Sequence, residues 1–317
     1  MPADSGEPRS GRPESWAILK GLVKFGNRHA GAAKRAEAIS RLARLLEARG
    51  LKTERIPFEA QDPRTGRVWP MTNLVGRFRP QSPCRFLLGS HFDARHEAEM
   101  DPDPAKKAKP IEGANDSGSG VAVLLALASR FAETVPAGVG VDVVLFDGEE
   151  MGYQDVGGYC MGSRHYAAML SAAGLTTPAR PPMTANALPY GRQDGVASAP
   201  PRFAVVLDMV ASPKTVFKIE SYSYEAHPRL VEALWEIGSR RAPKAFSRER
   251  WGWIRDDHVP LSEAGVPSVL VIGYDDPRWH TSGDVLAGLS PERLALAEGM
   301  LEELMKERLS SFLGGCP

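Results

Sequence analysis

The chain has 317 residues, 43% of them hydrophobic and 25% charged, with 39 basic residues balancing 39 acidic ones. That is the composition of a folded globular protein, not of a disordered or fibrous one. A formal charge of zero gives no electrostatic reason to expect nucleic acid or a membrane surface as partner, and three cysteines are too few for a disulfide framework.

The opening MPADSGEPRSGRP is polar and rich in Gly and Pro, which predicts a disordered tail over residues 1–13. It lacks the apolar stretch of a secretory signal, and no run approaches a membrane span, so the cytoplasm is the expected compartment. From 32 to 49, AAKRAEAISRLARLLEAR puts Leu42, Leu45 and Leu46 on one face with Ile39 near it, and stops at Gly50. That spacing predicts an amphipathic helix. TNLVGRF (73–79) and RFLLGSH (85–91) read as strands. GVAVLLALASRFAE (120–133) reads as an apolar helix launched just after Asn115, Asp116 and Ser117. VDVVLF (141–146), FAVVLD (203–208) and SVLVI (268–272) are continuous apolar runs, as in strands buried on both faces. LVEALWEIGSRR (230–241) has helical amphipathic spacing. The last helix starts at Ser290 and Pro291, an N-cap followed by Pro at the first helical position, and runs on to Phe312.

Two long connections remain, the charged stretch 94–113 and the proline-rich stretch 173–202. Loops of that length are functional or disordered. Strands alternating with helices, without a repeat or a composition break, predict one domain over 14–317. The expected fold class is α/β: a three-layer α/β/α sandwich around a central mixed, largely parallel twisted sheet.

Chemistry gathers at the ends of the apolar runs. His91 closes LLGSHFD, Asp116 lies in EGANDSGSG, Glu150 in VVLFDGEEMG, Asp208 in AVVLDMV and His280 in DPRWHTSGD. Two imidazoles and three carboxylates make a zinc-type ligand set. Open α/β sheets place ligand chemistry at the carboxyl ends of their strands, so residues remote in sequence can converge there. In HFD, Asp93 shares a side of the strand with His91 and is placed to hold its second ring nitrogen. Adjacent Glu149 and Glu150 repel each other unless a cation or a shared proton intervenes. The natural division makes Glu150 a ligand and Glu149 the general acid/base. Asp257 is a candidate partner of Glu149 or of a substrate amine, and Trp279 a candidate pocket wall. Taken singly, each has a plain structural explanation: a capped strand-end His, an N-cap Asp, an acidic turn, a packed Trp. Taken together, they predict a metal site. Phe246, Trp251 and Trp253 are candidates for a pocket rim or for ordinary packing. The chain has no G-x-S-x-G elbow, no phosphate-binding Gly-rich loop after a strand and no CxxC pair.

The order HFD, GANDSGSG, FDGEE, LDMV, DDHVP and WHT resembles the zinc aminopeptidase superfamily of the M28 type. MGSRHYA (161–167), LDMVASP (207–213), DDHVPL (256–261) and WHT (279–281) look most similar to its glutaminyl-peptide cyclotransferase branch. The resemblance runs from FGNRHAG (25–31) to the C-terminal helix. It implies that residues 14–317 form one M28-like zinc-dependent catalytic domain acting on peptide or protein N-termini. If the chain is an aminopeptidase, the resemblance implies two zinc ions. His91, Asp208 and a bridging Asp116 would hold one; Asp116, Glu150 and His280 would hold the other. If it is a cyclase, the resemblance implies one zinc on Asp116, Glu150 and His280, with Glu149, Asp208 and Asp257 handling protons. The Trp that animal cyclases carry after the Glu pair has no clear counterpart in MGYQDVGGY (151–159), where Tyr153 or Tyr159 is the candidate substitute. Three functions are therefore expected in order: an acyltransferase cyclising N-terminal glutamine, a di-zinc hydrolase, and a non-catalytic binding module on the same fold.

Overall fold

The computed structural model describes residues 12–177 and 199–315. Residues 1–11 of the tail expected over 1–13, and most of the proline-rich stretch, lie outside them. In chain order the main elements are α1 (Glu14–Leu22), α2 (Arg35–Glu47), β1 (Lys52–Gln61), β2 (Val68–Phe78), β3 (Cys84–His91), α3 (Gly118–Ala128), α4 (Phe131–Thr134), β4 (Val139–Phe146), α5 (Met161–Ala172), β5 (Ala204–Asp208), β6 (Phe217–Glu220), α6 (Ser221–Ala226), α7 (Pro228–Arg241), β7 (Phe246–Trp251), α8 (His258–Glu263), β8 (Ser268–Ile272) and α9 (Pro291–Glu303).

Six strands form one sheet in the order β1-β2-β4-β3-β5-β8. β1, β2 and β4 pair antiparallel, whereas β4, β3, β5 and β8 run parallel. β6 and β7 form a separate parallel pair. The alternation of side chains sorts the parallel strands between two layers. Phe86, Leu88, Val141, Val143, Leu145, Val205 and Leu207 pack on the side of α1, α2, α3, α7 and α9. Leu87, Val144, Phe146, Val206 and Leu270 face α5 and α8. Every residue of β3, β4, β5 and β8 is buried, which is why these strands read as unbroken apolar runs. The three-layer α/β class and the mixed, largely parallel sheet are as expected from the sequence.

Several elements differ from the sequence reading. β1 alternates exposed and buried residues, but its charged outer face hid it. α1 is short, and the mixed composition of α1 and α5 gave no clear period. The helix expected over 120–133 breaks after Ala128 and resumes as the short α4. The C-terminal helix passes into a π turn at Leu304–Arg308 and a 3-10 turn at Leu309–Phe312. The Ser290 side chain caps α9 by accepting from the Arg293 amide at 3.2 Å, as its sequence position predicted. Phe246 belongs to the packing, against Trp235 and Phe217. Among the described residues no helix is long and apolar enough to cross a membrane.

Candidate metal centre

Three parallel strands finish at the same edge of the sheet. β3 ends on His91 and β5 on Asp208. β4 leads through Asp147 to Gly148, whose φ of 71° is a left-handed conformation that glycine adopts without steric cost. That residue leads into a short 3-10 turn, Glu149–Met151. The Asp93 carboxylate accepts the Glu149 amide at 3.2 Å and the Glu150 amide at 3.1 Å, fixing the turn against the end of β3. Asp116 comes from the turn before α3. Its own amide and that of Asn115 donate to Asp284 at 3.2 and 2.7 Å, and the Asn115 side chain donates to Asp276 at 2.9 Å. The start of α3 lies so close to β3 and β5 that a Cβ at Gly120 would collide with Ser90 Oγ and the Leu207 carbonyl. The segment after β8 then brings in His280, itself at φ 53°.

All five expected ligands meet here. His91 Nε2 lies 3.1 Å from Asp116 Oδ1 and 3.3 Å from Asp208 Oδ1. His280 Nε2 lies 3.4 Å from Glu150 Oε2 and 3.7 Å from Asp116 Oδ2. One donor atom each of His91, Asp116 and Glu150 falls within 4.8 Å of the other two. Asp116 thus faces both imidazoles with different oxygens. Glu150 Oε2 and Asp208 Oδ1 are buried and make no hydrogen bond, although each has an imidazole nitrogen within 3.4 Å. Metal–ligand bonds of ~2.0–2.1 Å at tetrahedral angles put neighbouring donors about 3.3 Å apart. The spacing and the orphaned oxygens therefore fit a zinc-type cation between these groups.

The other carboxyls surround this centre. Glu149 is buried and accepts the Cys160 thiol at 3.3 Å. Burial pushes its pKa well above the usual carboxylate value; Glu150, Asp256 and Asp257 push the same way, and His91 opposes them. Asp256 is pushed up to about 7, chiefly by burial and then by Asp208. Asp257 is fully buried at the N-cap of α8, yet its side chain makes no capping bond. Neither of its oxygens makes a hydrogen bond of ordinary geometry, although the Ser163 hydroxyl is near enough to favour the charge. Burial and Asp256 raise its pKa well above the ordinary value. Burial and then Glu150 raise Asp116, and burial and then Asp116 raise Asp208. Asp93 lies 3.4 Å from His91 Nδ1, but its hydrogen bonds go to the two glutamate amides. His91 Nδ1 itself has none.

A cavity of about 580 Å³ opens over Asp116, Glu149, Glu150, Asp208 and His280. Its walls are aromatic: Tyr159, Trp251, Trp253, Tyr274 and Trp279. Trp279 stacks on the His280 ring with centroids 4.0 Å apart and leans on Tyr274 at 5.2 Å. Of the two tyrosines in 151–159, Tyr159 lines the cavity, whereas Tyr153 is buried with its hydroxyl on Asp62. Asp256, not Asp257, reaches the cavity wall. Sequence reasoning passed over Asp256, Cys160 and Glu99. Asp256 was hidden by its identical neighbour. Glu99 sits in a charged loop, with no apolar run to mark it.

Fold and site together define a three-layer α/β protein with a buried mixed histidine–carboxylate centre at the parallel strand ends. The family model described as "Peptidase family M28" matches residues 73–305, and the chain belongs to that family. A glutaminyl-peptide cyclotransferase from Bos taurus is 26% identical over 238 residues, covering 67% of this chain and 59% of its own length. The chain thus spans about three-fifths of that curated relative. Among solved structures, Tannerella forsythia glutaminyl cyclase superposes with TM-score 0.81 at 28% identity, covering 95% of this chain and 100% of its own. A leucine aminopeptidase precursor from Bacteroides thetaiotaomicron VPI-5482 superposes with TM-score 0.80 at 26% identity, covering 96% and 99%.

Proposed function

We propose that this chain is a zinc-dependent enzyme that cyclises N-terminal glutamine of peptides to pyroglutamate, releasing ammonia. The observation that carries this reading is the company Glu149 keeps. It is buried beside Glu150 and feels the charges of Asp256 and Asp257, and all three of these proton-holding carboxyls, Glu149, Asp256 and Asp257, have raised pKa values. Such a cluster can hold and pass a proton near neutral pH. Metal-assisted hydrolysis moves a proton from the attacking water to the departing amine, a task for one glutamate beside the metal. Cyclisation makes the same transfer from the attacking amine and must also hold that amine uncharged and in place, which suits several linked carboxyls.

Asp116, Glu150 and His280 would hold the zinc, and His91 and Asp208 complete the set if a second ion binds. A zinc ion there supplies Lewis-acid polarisation of the γ-carbonyl. Glu149 accepts a proton from the substrate α-amine as nitrogen forms its bond to the γ-carbonyl carbon. It returns that proton to the amide nitrogen as the C–N bond breaks and ammonia leaves. Asp208 and Asp256 face the cavity and hold the amine. Asp257 acts through Glu149, keeping its pKa high. The aromatic walls exclude water and keep the amine close to the carbonyl, so the reaction stays intramolecular.

The test combines metal analysis with mass spectrometry on a glutaminyl peptide and on aminoacyl substrates. One zinc per chain and loss of ammonia from the peptide are expected; a glutaminyl peptide left intact by zinc-loaded protein rejects the reading. A second reading, a di-zinc aminopeptidase, is favoured by the intact His91–Asp116–Asp208 contacts. Two tight zincs and release of an N-terminal residue would establish it. Substituting Trp279→Ala is expected to raise KM for the peptide about tenfold, or roughly 1.4 kcal/mol, with zinc content unchanged. Steady-state kinetics beside metal analysis check this.

A further inference from the structure

The two histidines of the centre are not held alike. His91 Nδ1 makes no hydrogen bond, and the nearby Asp93 spends both oxygens on backbone amides. His280 Nδ1 lies 2.7 Å from Glu99 Oε1. Glu99 in turn is gripped by Arg95, whose Nε lies 3.0 and 3.2 Å from its two oxygens and whose Nη2 lies 2.7 Å from Oε1. Arg95 is only 1% exposed. Its Nη1 donates to the Glu150 carbonyl at 2.9 Å and also to the Gly152 carbonyl. One guanidinium therefore ties together the turn that carries Glu150 and the carboxylate that holds His280.

The backbone repeats the connection. The Met100 amide donates to the His280 carbonyl at 3.1 Å, and Asp101 accepts the Ser282 amide at 2.8 Å. Three successive residues of the loop, 99, 100 and 101, thus grip the segment 280–282. That segment needs restraint, because His280 sits at φ 53°, a region that non-glycine residues visit uncommonly.

We propose that Glu99, held by Arg95, is the positioning residue for His280, fixing its ring with Nδ1–H on the carboxylate and the Nε2 lone pair turned toward Asp116 and Glu150. A ligating histidine so paired is pre-oriented, and its free nitrogen is made more basic. Arg95 sets the distance between this histidine and Glu150, so the half-site of Asp116, Glu150 and His280 fills first. At His91 the corresponding carboxylate, Asp93, stands back at 3.4 Å from Nδ1, so a second ion, if one binds, enters that half-site after the first. This rests on the zinc reading of the centre, not on which reaction the zinc serves.

The test is zinc affinity, measured by competition with a chromophoric chelator on the full chain and on Glu99→Ala and Glu99→Gln. Glu99→Ala should bind its first zinc about 10–100-fold more weakly. Glu99→Gln should recover part of that loss, because its amide oxygen still accepts from Nδ1–H. The visible spectrum of the cobalt(II)-loaded protein should shift in Glu99→Ala and return toward native in Glu99→Gln. A loop defect alone would instead lower the melting temperature of both metal-free variants without rescue. Unchanged affinity for the first zinc in both variants overturns the proposal while leaving the metal centre standing. A native chain that binds no zinc overturns the metal centre, and this assignment with it. If Glu99→Ala does not fold, Glu99→Gln decides: its affinity must fall below native for the proposal to survive.

Discussion

Replacing Glu149 by Gln is expected to slow turnover of a glutaminyl peptide by about 10²–10⁴-fold while zinc remains bound. The substitution keeps the shape and removes only the ability to take and return a proton. Glu149 is not among the contacts that join the histidines to carboxylates, so metal binding should survive. Its surroundings explain the size of the effect. Burial and three neighbouring acids hold the proton on this carboxyl, and His91 opposes them; a cation on Glu150 would pull the pKa back toward the working range. The variant should also lose the acidic limb of the pH–rate profile, where protonation of Glu149 removes the base. Rate measurements with parallel metal analysis check this, and native-like turnover with full zinc removes Glu149 from the mechanism.

Stripping zinc is expected to lower the melting temperature and to make it fall as pH rises. Zinc at 100 to 1,000 times its Kd adds about 2.7–4.1 kcal/mol to stability, on the order of 4–6 °C for a domain of this size. The pH dependence follows from the buried acids. Asp147 is raised to about 6, Asp256 to about 7 and Asp284 to about 8, each chiefly by burial. An unfolded chain loses these protons near pH 4, whereas the folded chain keeps them until the raised values. The unfolded state therefore binds fewer protons across that window, and stability present in acid is lost as pH rises from about 4 to 8. His280, raised to about 10 by Glu150, Glu99 and Asp116 against burial, extends the decline above pH 6.5. Glu99, lowered to about 2 mainly by His280 and Arg95 against burial, works the other way only below about pH 4.5. A cation among Asp116, Glu150 and Asp208 stabilises their charges and flattens the slope. Melting curves of metal-free and zinc-loaded protein from pH 5 to 8 check this; a metal-free melting temperature that rises with pH counts against it.

The most legible parts of the sequence were the strands buried on both faces. In β3, β4, β5 and β8 neither face meets water, so the apolar run marks the strand almost to its bounds. That made His91 and Asp208 conspicuous, because a charge or imidazole ending such a run must find a partner. β1 was missed because one of its faces is solvated and carries charge. Asp257 stood out beside Asp256, but their orientations are set by α8 and the loop before it. The loop 94–113 looked like a surface excursion from its lysines and prolines. Its first residues instead contact two of the candidate metal ligands, Glu99 at His280 and Arg95 at the Glu150 carbonyl.

Residue types and order alone determined the sandwich class, the candidate ligand chemistry of two imidazoles and three carboxylates, and the edge of the sheet where they gather, since burial periodicity and strand polarity are local properties. Tertiary structure decided which nitrogen of each histidine faces which carboxylate, that Asp256 reaches the cavity while Asp257 is enclosed, and that Glu99, 2.7 Å from His280 Nδ1, pairs more closely than Asp93 does at 3.4 Å from His91 Nδ1. Those outcomes depend on distances between segments as much as 181 residues apart, and no local pattern encodes a separation of that kind.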